Sequence, residues 1–255
     1  MMSSSRRSFL LGGLFSVCLA LSACAPTVSE RLPDEESREP IGQAPTQPPS
    51  DMPPLPPPPP PNRPPQTEDQ AILALYAHLD PQRVVPTLAL QQAILYFHRN
   101  KSSFPNQRVI SILDFHKSSI EKRFHIVNLS TGAVWSLHVS HGRGSDLDHD
   151  GFAESFSNVI GSNATSLGFY RTAETYMGEN GYSLRLDGLS PTNHQARVRA
   201  IVIHGADYVQ DRPVIQGRSW GCPAISYPNH RRLIDLVKGG SLISAIGGSS
   251  QSSPR

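Results

Sequence analysis

Cys222 lies in the stretch Gly217-Arg218-Ser219-Trp220-Gly221-Cys222-Pro223-Ala224, among residues that shape a backbone rather than fill a core. Eighteen positions earlier, His204 ends the apolar run Ile201-Val202-Ile203. A cysteine attacks as its thiolate. A nearby imidazole, oriented amides and partial exposure favour that form, bringing the pKa from about 8.5 into the range of about 3.5–7.5. His204, held rigidly at a strand end, is the candidate base. Gly221 leaves the backbone free to turn tightly, so the N–H groups of Gly221 and Cys222 are candidate donors to a developing oxyanion. Pro223 has no N–H, so an oxyanion site must be built on the N-terminal side of the sulfur or from another loop. Taken singly, each residue also has a plainer reading: Cys222 as a small buried apolar side chain, His204 as a satisfied strand-end histidine.

The other two cysteines belong to an export signal. Arg6 and Arg7 precede the apolar run Phe9 to Ala23, which is too short to span a bilayer and ends in small residues. Leu21-Ser22-Ala23-Cys24 resembles the lipobox of bacterial lipoproteins, which implies cleavage before Cys24 and lipidation of its sulfur. Ser5-Arg6-Arg7-Ser8-Phe9-Leu10 resembles a twin-arginine motif. Residues 1–23 are therefore expected to be removed, taking Cys18 with them. Cys222 is then the single free thiol of a chain working where free thiols tend to be oxidised. Residues 24–65 are dominated by proline and hold almost no large apolar side chains, which suits a disordered tether reaching up to about 120 Å.

The remaining chain must position the sulfur and the imidazole. Residues 66–248 suffice for one domain with a sizeable core, and 249–255 read as a disordered tail. Residues 66–107 carry two helical patterns, one capped by Thr67 and one with Pro86 near its first position. From 108 to 248 the chain turns strand-rich, with runs starting at Arg108, Lys122, Ala133, Tyr182 and Arg199. A helix follows over Pro228–Gly240 with Gly239 as its stop, and a last strand over Ser241–Gly247. The expected fold is mainly β, a sandwich or partly open barrel with a few packed helices. A net charge of +2 offers no basic face for nucleic acid.

With these residues placed, Ile201–Val209 and Gly217–Ile225 resemble the signature of the YkuD-type murein L,D-transpeptidases, and the likeness extends over about 108–247. The resemblance implies that Cys222 is the nucleophile and His204 its base. It makes Gly205 the carbonyl that holds the imidazole, Ser219 the hydroxyl that orients the loop, and Gly221 with Cys222 the oxyanion donors. Trp220 stands where the pattern has a histidine, and Ala224 where it has a basic or polar residue. Trp220, Arg218, Ser166 and Tyr170 are expected to bind substrate.

The implied reaction begins with attack of Cys222 on the carbonyl at the L-centre of diaminopimelate in a peptidoglycan stem tetrapeptide. D-Ala leaves, and a second stem amine resolves the thioester into a crosslink. Water in place of the amine makes the same site a carboxypeptidase. No metal or organic cofactor is implied, and carbapenems should inhibit. The implied partners are stem peptides and, through the lipid on Cys24, a membrane. The location is periplasmic, with Ala25 favouring the outer membrane. Two rivals remain: a papain-like peptidase, whose cysteine would precede its histidine, and a non-catalytic wall-binding lipoprotein.

Two metal readings are weak. Asp146, Asp148 and Asp150 have calcium-loop spacing, but position 12 of such a loop is Ser157 rather than a glutamate, so a solvated loop is expected. His138 and His141 are an odd number of residues apart on a strand pattern and should face opposite sides, which opposes a zinc pair.

Overall fold

A computed structural model describes residues 67–248. The signal with Cys18, the lipidation site Cys24, the proline-rich tether and the C-terminal tail lie outside the described residues. No helix among the described residues is long and apolar enough to cross a membrane.

Helix α1 (Glu68–Leu75) opens on a capping box, in which the Thr67 hydroxyl accepts from the Gln70 amide and the Gln70 side chain accepts from the Thr67 amide. Helix α2 (Thr87–Arg99) follows, with Pro86 at its N-cap, one position before the place its sequence suggests. Strands β1 (Val109–Asp114), β2 (Phe124–Asn128) and β3 (Val134–Leu137) form an antiparallel meander. The long hairpin of β4 (Gly168–Gly178) and β5 (Gly181–Gly188) comes next, then β6 (Val202–Ala206), β7 (Ala224–Ser226), α3 (Tyr227–Val237) and β8 (Leu242–Ile246).

All eight strands join one sheet in the order β3-β2-β1-β8-β4-β5-β6-β7. The β1–β8 and β6–β7 pairs are parallel and the rest antiparallel. The sheet curls until its edges nearly meet: past the end of β3, the Ser140 N–H donates to the Ala224 carbonyl of β7 at 2.9 Å. The fold is thus mainly β, an almost closed barrel with three α-helices, as the strand-rich pattern suggests.

The curl explains why β1 reads as the near-continuous apolar run Val109-Ile110-Ser111-Ile112-Leu113, broken only by a small serine: both its faces are covered. Val109 and Leu113 join the interior, where Leu184, Ile203 and Ile225 meet Leu233, Ile234 and Val237 of α3. Ile110 and Ile112 face the opposite way, against Ile94 and Phe97 of α2 and Phe104. The N-terminal helices therefore complete one of two cores.

Phe97 is 1% exposed. Its replacement by Ala should cost about 3–5 kcal/mol, lowering the thermal midpoint by about 2–4 °C for each of these. Unfolding should remain a single transition, because α2 and the sheet share that core; a calorimetric trace with a separate early step for the helices would contradict this.

Candidate active site

His204 is the central residue of β6 and is nearly buried. Its Nδ1 lies 2.9 Å from the Gly205 carbonyl oxygen. A carbonyl only accepts, so Nδ1 carries the proton and Nε2 is left with its lone pair in the neutral ring. Burial pushes the His204 pKa down; the Gly205 carbonyl pulls the other way, and the neighbouring charge of His230 adds to the fall. Gly205 has a second role, because a Cβ there would meet the Tyr227 ring at 2.5 Å. Its bare backbone lets the first turn of α3 pack against the strand beside the imidazole.

The β6–β7 register pairs His204 with Ala224, which puts Cys222 just ahead of the partner strand and beside the imidazole's own strand. The half-buried Cys222 thiol is 3.6 Å from the Ala200 carbonyl, to which it donates. Burial pushes its pKa up, opposed by the Val202 amide and the Arg199 guanidinium. Ala200 reaches this position with φ at +54°, a left-handed conformation unusual outside glycine and met at functional sites.

Ser219 organises the turn between them. Its hydroxyl is 2.7 Å from the Cys222 carbonyl and 3.2 Å from the His141 carbonyl, and it accepts from the Gly221 N–H at 3.1 Å. The Gly221 amide, expected to face an oxyanion, is therefore engaged by Ser219. Among the described residues the Cys222 N–H has no acceptor and is the amide left available beside the sulfur. Gly221 is required for other reasons: its φ is +113°, and a Cβ would lie 2.7 Å from the Ala164 carbonyl.

Behind Ser219 lies a buried polar network, in which His141 and Asp146, offered by the sequence only as metal candidates, join Arg123, which the sequence does not single out; Asp146 is buried and not in the solvated loop expected of it. The Arg123 guanidinium, fully buried, approaches His141 Nδ1 at 2.7 Å and also donates to the Val139 and Lys117 carbonyls. A guanidinium only donates, so His141 Nδ1 accepts and its Nε2–H donates to Asp146 Oδ2 at 2.9 Å. Asp146 also accepts from the amides of Asp150 and Gly151. His141 in turn offers its carbonyl to the Ser219 N–H at 2.9 Å. The signal was the run Val139–Gly151, dense in groups that hydrogen-bond. Asp146, Asp148 and Asp150 do converge closely enough for a cation, but Asp146 is already committed to His141 and the two amides. His138 points elsewhere, with no partner for its Nδ1.

The cleft over the sulfur has a volume of about 720 Å³. Trp220, 75% exposed, and Arg218 line one side of it, with Arg218 anchored on the Asp146 carbonyl. Tyr176, Glu179 and Asn180 at the tip of the β4–β5 hairpin line the other. Ser166 and Tyr170, expected in this cleft, are not there. Both are buried, their hydroxyls 2.7 Å apart, and Ser166 also receives a bond from Arg199. They support the turn that carries Cys222 from beneath, because β4 presents Tyr170 to the barrel interior.

A Cβ on Gly142 would fall 2.3 Å from the Asn163 carbonyl and 2.8 Å from Gly221 Cα. Gly142→Ala should therefore cost about 1–3 kcal/mol by overpacking, read from denaturant midpoints; an unchanged midpoint would mean the three segments separate freely. A pH effect also follows. Burial, reinforced by Arg123, takes His141 down to about 4, and burial, reinforced by Lys117, takes His125 to about 4. Each histidine favours the folded state when neutral, so its contribution is complete above the unfolded value of about 6.5 and is lost as the pH falls toward 4. The thermal midpoint should drop across that window, and less steeply in His125→Phe.

Comparison with known proteins gives the site its context. A family model for the L,D-transpeptidase catalytic domain matches residues 82–245. No curated protein matches the chain. Similar solved structures include an L,D-transpeptidase from Mycobacterium smegmatis, 14% identical with a TM-score of 0.35, covering 55% of this chain and 59% of that one. Others are the helical cell shape determining protein Pgp2 from Campylobacter jejuni (14%, TM-score 0.37, 58% and 50% covered) and an L,D-transpeptidase from Stackebrandtia nassauensis (11%, 0.34, 71% and 78%). This chain thus spans about three fifths of the Mycobacterium smegmatis structure and half of Pgp2. With well over half of its residues matched by that family model, the chain belongs to the L,D-transpeptidase catalytic-domain family.

Proposed function

We propose that this protein is a cysteine-dependent peptidoglycan L,D-transpeptidase that crosslinks stem peptides through a thioester. The observation that carries the reading is that His204 and Cys222 line one cleft. The imidazole is held by Gly205 with its basic nitrogen unprotonated, on the strand that pairs with the approach to the sulfur.

In the first half-reaction Nε2 of His204 takes the Cys222 proton, and the sulfur attacks the carbonyl at the L-centre of diaminopimelate. The oxyanion forms beside the free Cys222 N–H. As it collapses, the C–N bond breaks and D-Ala leaves with the proton from His204. In the second half-reaction the amine of another stem gives a proton to His204 and attacks the thioester, restoring the thiol. The exposed indole of Trp220 offers the donor peptide an apolar surface, and Arg218 with Glu179 supplies charges of opposite sign across the cleft. We further propose that the chain is exported, lipidated on Cys24 and held at the periplasmic face of the outer membrane, where the tether sets its reach.

The test is incubation of the full-length protein in detergent with purified disaccharide-tetrapeptides, with products identified by mass spectrometry. A crosslinked dimer lacking one D-Ala is expected, absent in Cys222→Ala and formed about 10²–10⁴-fold more slowly in His204→Gln. Tripeptide alone would make the enzyme a carboxypeptidase. An untouched donor with wild-type protein would leave a wall-binding lipoprotein.

A further inference from the structure

Resting on that reading, the charge environment of the sulfur carries one step more. The thiol's own hydrogen-bond acceptor, the Ala200 carbonyl at 3.6 Å, favours the protonated form. His204, held neutral in the resting fold, supplies no positive charge until it has taken the proton. Arg218 is turned to Asp146. The remaining cation in the cleft is Arg199, the residue before Ala200.

Arg199 is held in an uncommon way. Its Nη1 donates to the Ser157 carbonyl at 2.7 Å and to Ser166 Oγ at 3.2 Å, and its Nη2 to the Ala164 carbonyl at 2.5 Å and to Ser162 Oγ at 3.3 Å. All four acceptors are neutral, and among the described residues no carboxylate pairs with it. The exposed Arg197, two residues earlier, has both Glu174 and Asp187. The buried Arg123 sits in the field of Asp114, Asp146 and Glu121. The charges that favour a protonated Arg199 are instead those of Tyr170 and Cys222. A half-buried cation without a counter-ion is costly unless an anion forms near it. Nη2 would lie 3.2 Å from a Cβ on Gly221, directly beneath the turn that carries the sulfur.

We propose that Arg199 is a positioning residue for the nucleophile: a guanidinium clamped under Gly221 by the 157–166 segment, whose unpaired charge stabilises the Cys222 thiolate and the oxyanion that follows. The proton leaves to His204 Nε2, and Arg199 neither gains nor loses one. The charged and titratable groups around the sulfur are Arg199, His204 and Tyr208 in the cleft wall, Tyr170 below, Arg218 on the catalytic turn, Tyr176 and Glu179 on the hairpin and His230 behind the imidazole. Of these, only Arg199 combines a fixed positive charge with closeness to the turn.

The experiment follows alkylation of Cys222 in the full-length protein as a function of pH, read on the tryptic peptide that begins at Ser219, so that Cys18 and Cys24 do not contribute. It needs no stem peptide, so its outcome is independent of whether crosslinking is observed. With iodoacetamide at pH 7, Arg199→Met should react about tenfold more slowly than wild type, the consequence of a one-unit rise in thiol pKa. The two should converge at high pH, and Arg199→Lys should stay within about threefold of wild type. Superimposed profiles for wild type and Met would overturn the proposal, as would equal slowing in Lys and Met, which would assign the effect to loop geometry. Should Arg199→Met not fold, the wild-type protein decides alone. Negatively charged iodoacetate should gain at least about threefold on neutral iodoacetamide at folded Cys222, compared with the same protein in urea, because a fixed cation attracts the anion. A ratio no higher than in urea would overturn it.

Discussion

Three lengths of main chain cross at Gly221 with no side chain between them. Gly142 comes from the end of the first meander, Asn163 and Ala164 from the long segment before β4, and Gly221 from the turn that carries the sulfur. Main-chain bonds tie the crossing together: the Ser219 N–H to the His141 carbonyl, the Arg143 N–H to the Ser219 carbonyl, and the Gly144 N–H to the Asn163 carbonyl. The near closure of the barrel brings these segments to one place. The parallel β6–β7 pairing then sets the imidazole beside the turn that carries the sulfur. Because the contacts are backbone to backbone, the site's geometry depends on positions that contribute nothing to the chemistry.

Two arginines serve this crossing in opposite ways. Arg123 belongs to a satisfied network: it determines the tautomer of His141, which gives its remaining N–H to Asp146, and the whole unit supports Ser219 from behind. Burial lowers the Arg123 pKa to about 9, yet three acidic side chains oppose the fall, so its charge is locally compensated. Arg199 supports the turn from below through neutral oxygens, and among the described residues its charge has no carboxylate to meet. The first arrangement gives rigidity, and the second leaves a cation beneath the turn that carries Cys222.

The linear part of the site was legible because its residues are close in sequence and chemically distinctive: a glycine-flanked cysteine, a strand-end histidine, a serine three positions before the sulfur. Strands β1, β2, β5, β6 and β8 were legible from their apolar runs. Strand β4 was not, because the register shifts between Thr172 and Thr175, glycines stand at both its ends, and its buried positions are Tyr170 and Thr172 rather than aliphatic residues. The same strand accounts for the misplacement of Ser166 and Tyr170, since composition does not say which face a tyrosine takes. Arg199 was unreadable for a different reason: its four acceptors lie 33 to 42 residues away.

The order of the sheet has a consequence for how the molecule comes into being. Strand β8, the last of the described strands in chain order, is not an edge strand; it lies between β1 and β4 and is, among the described strands, the one that pairs with both halves of the sheet. Until Leu242–Ile246 emerges, the β1–β3 meander and the β4–β7 half share no strand pairing, and the outer core lacks Leu242. Folding of the sheet therefore awaits Leu242–Ile246, and closure of the most sequence-distant strand pairing among the described residues completes the barrel. A chain broken off a few residues before Leu242 would keep every residue named in the candidate site and lack the strand that pairs the two halves of the sheet.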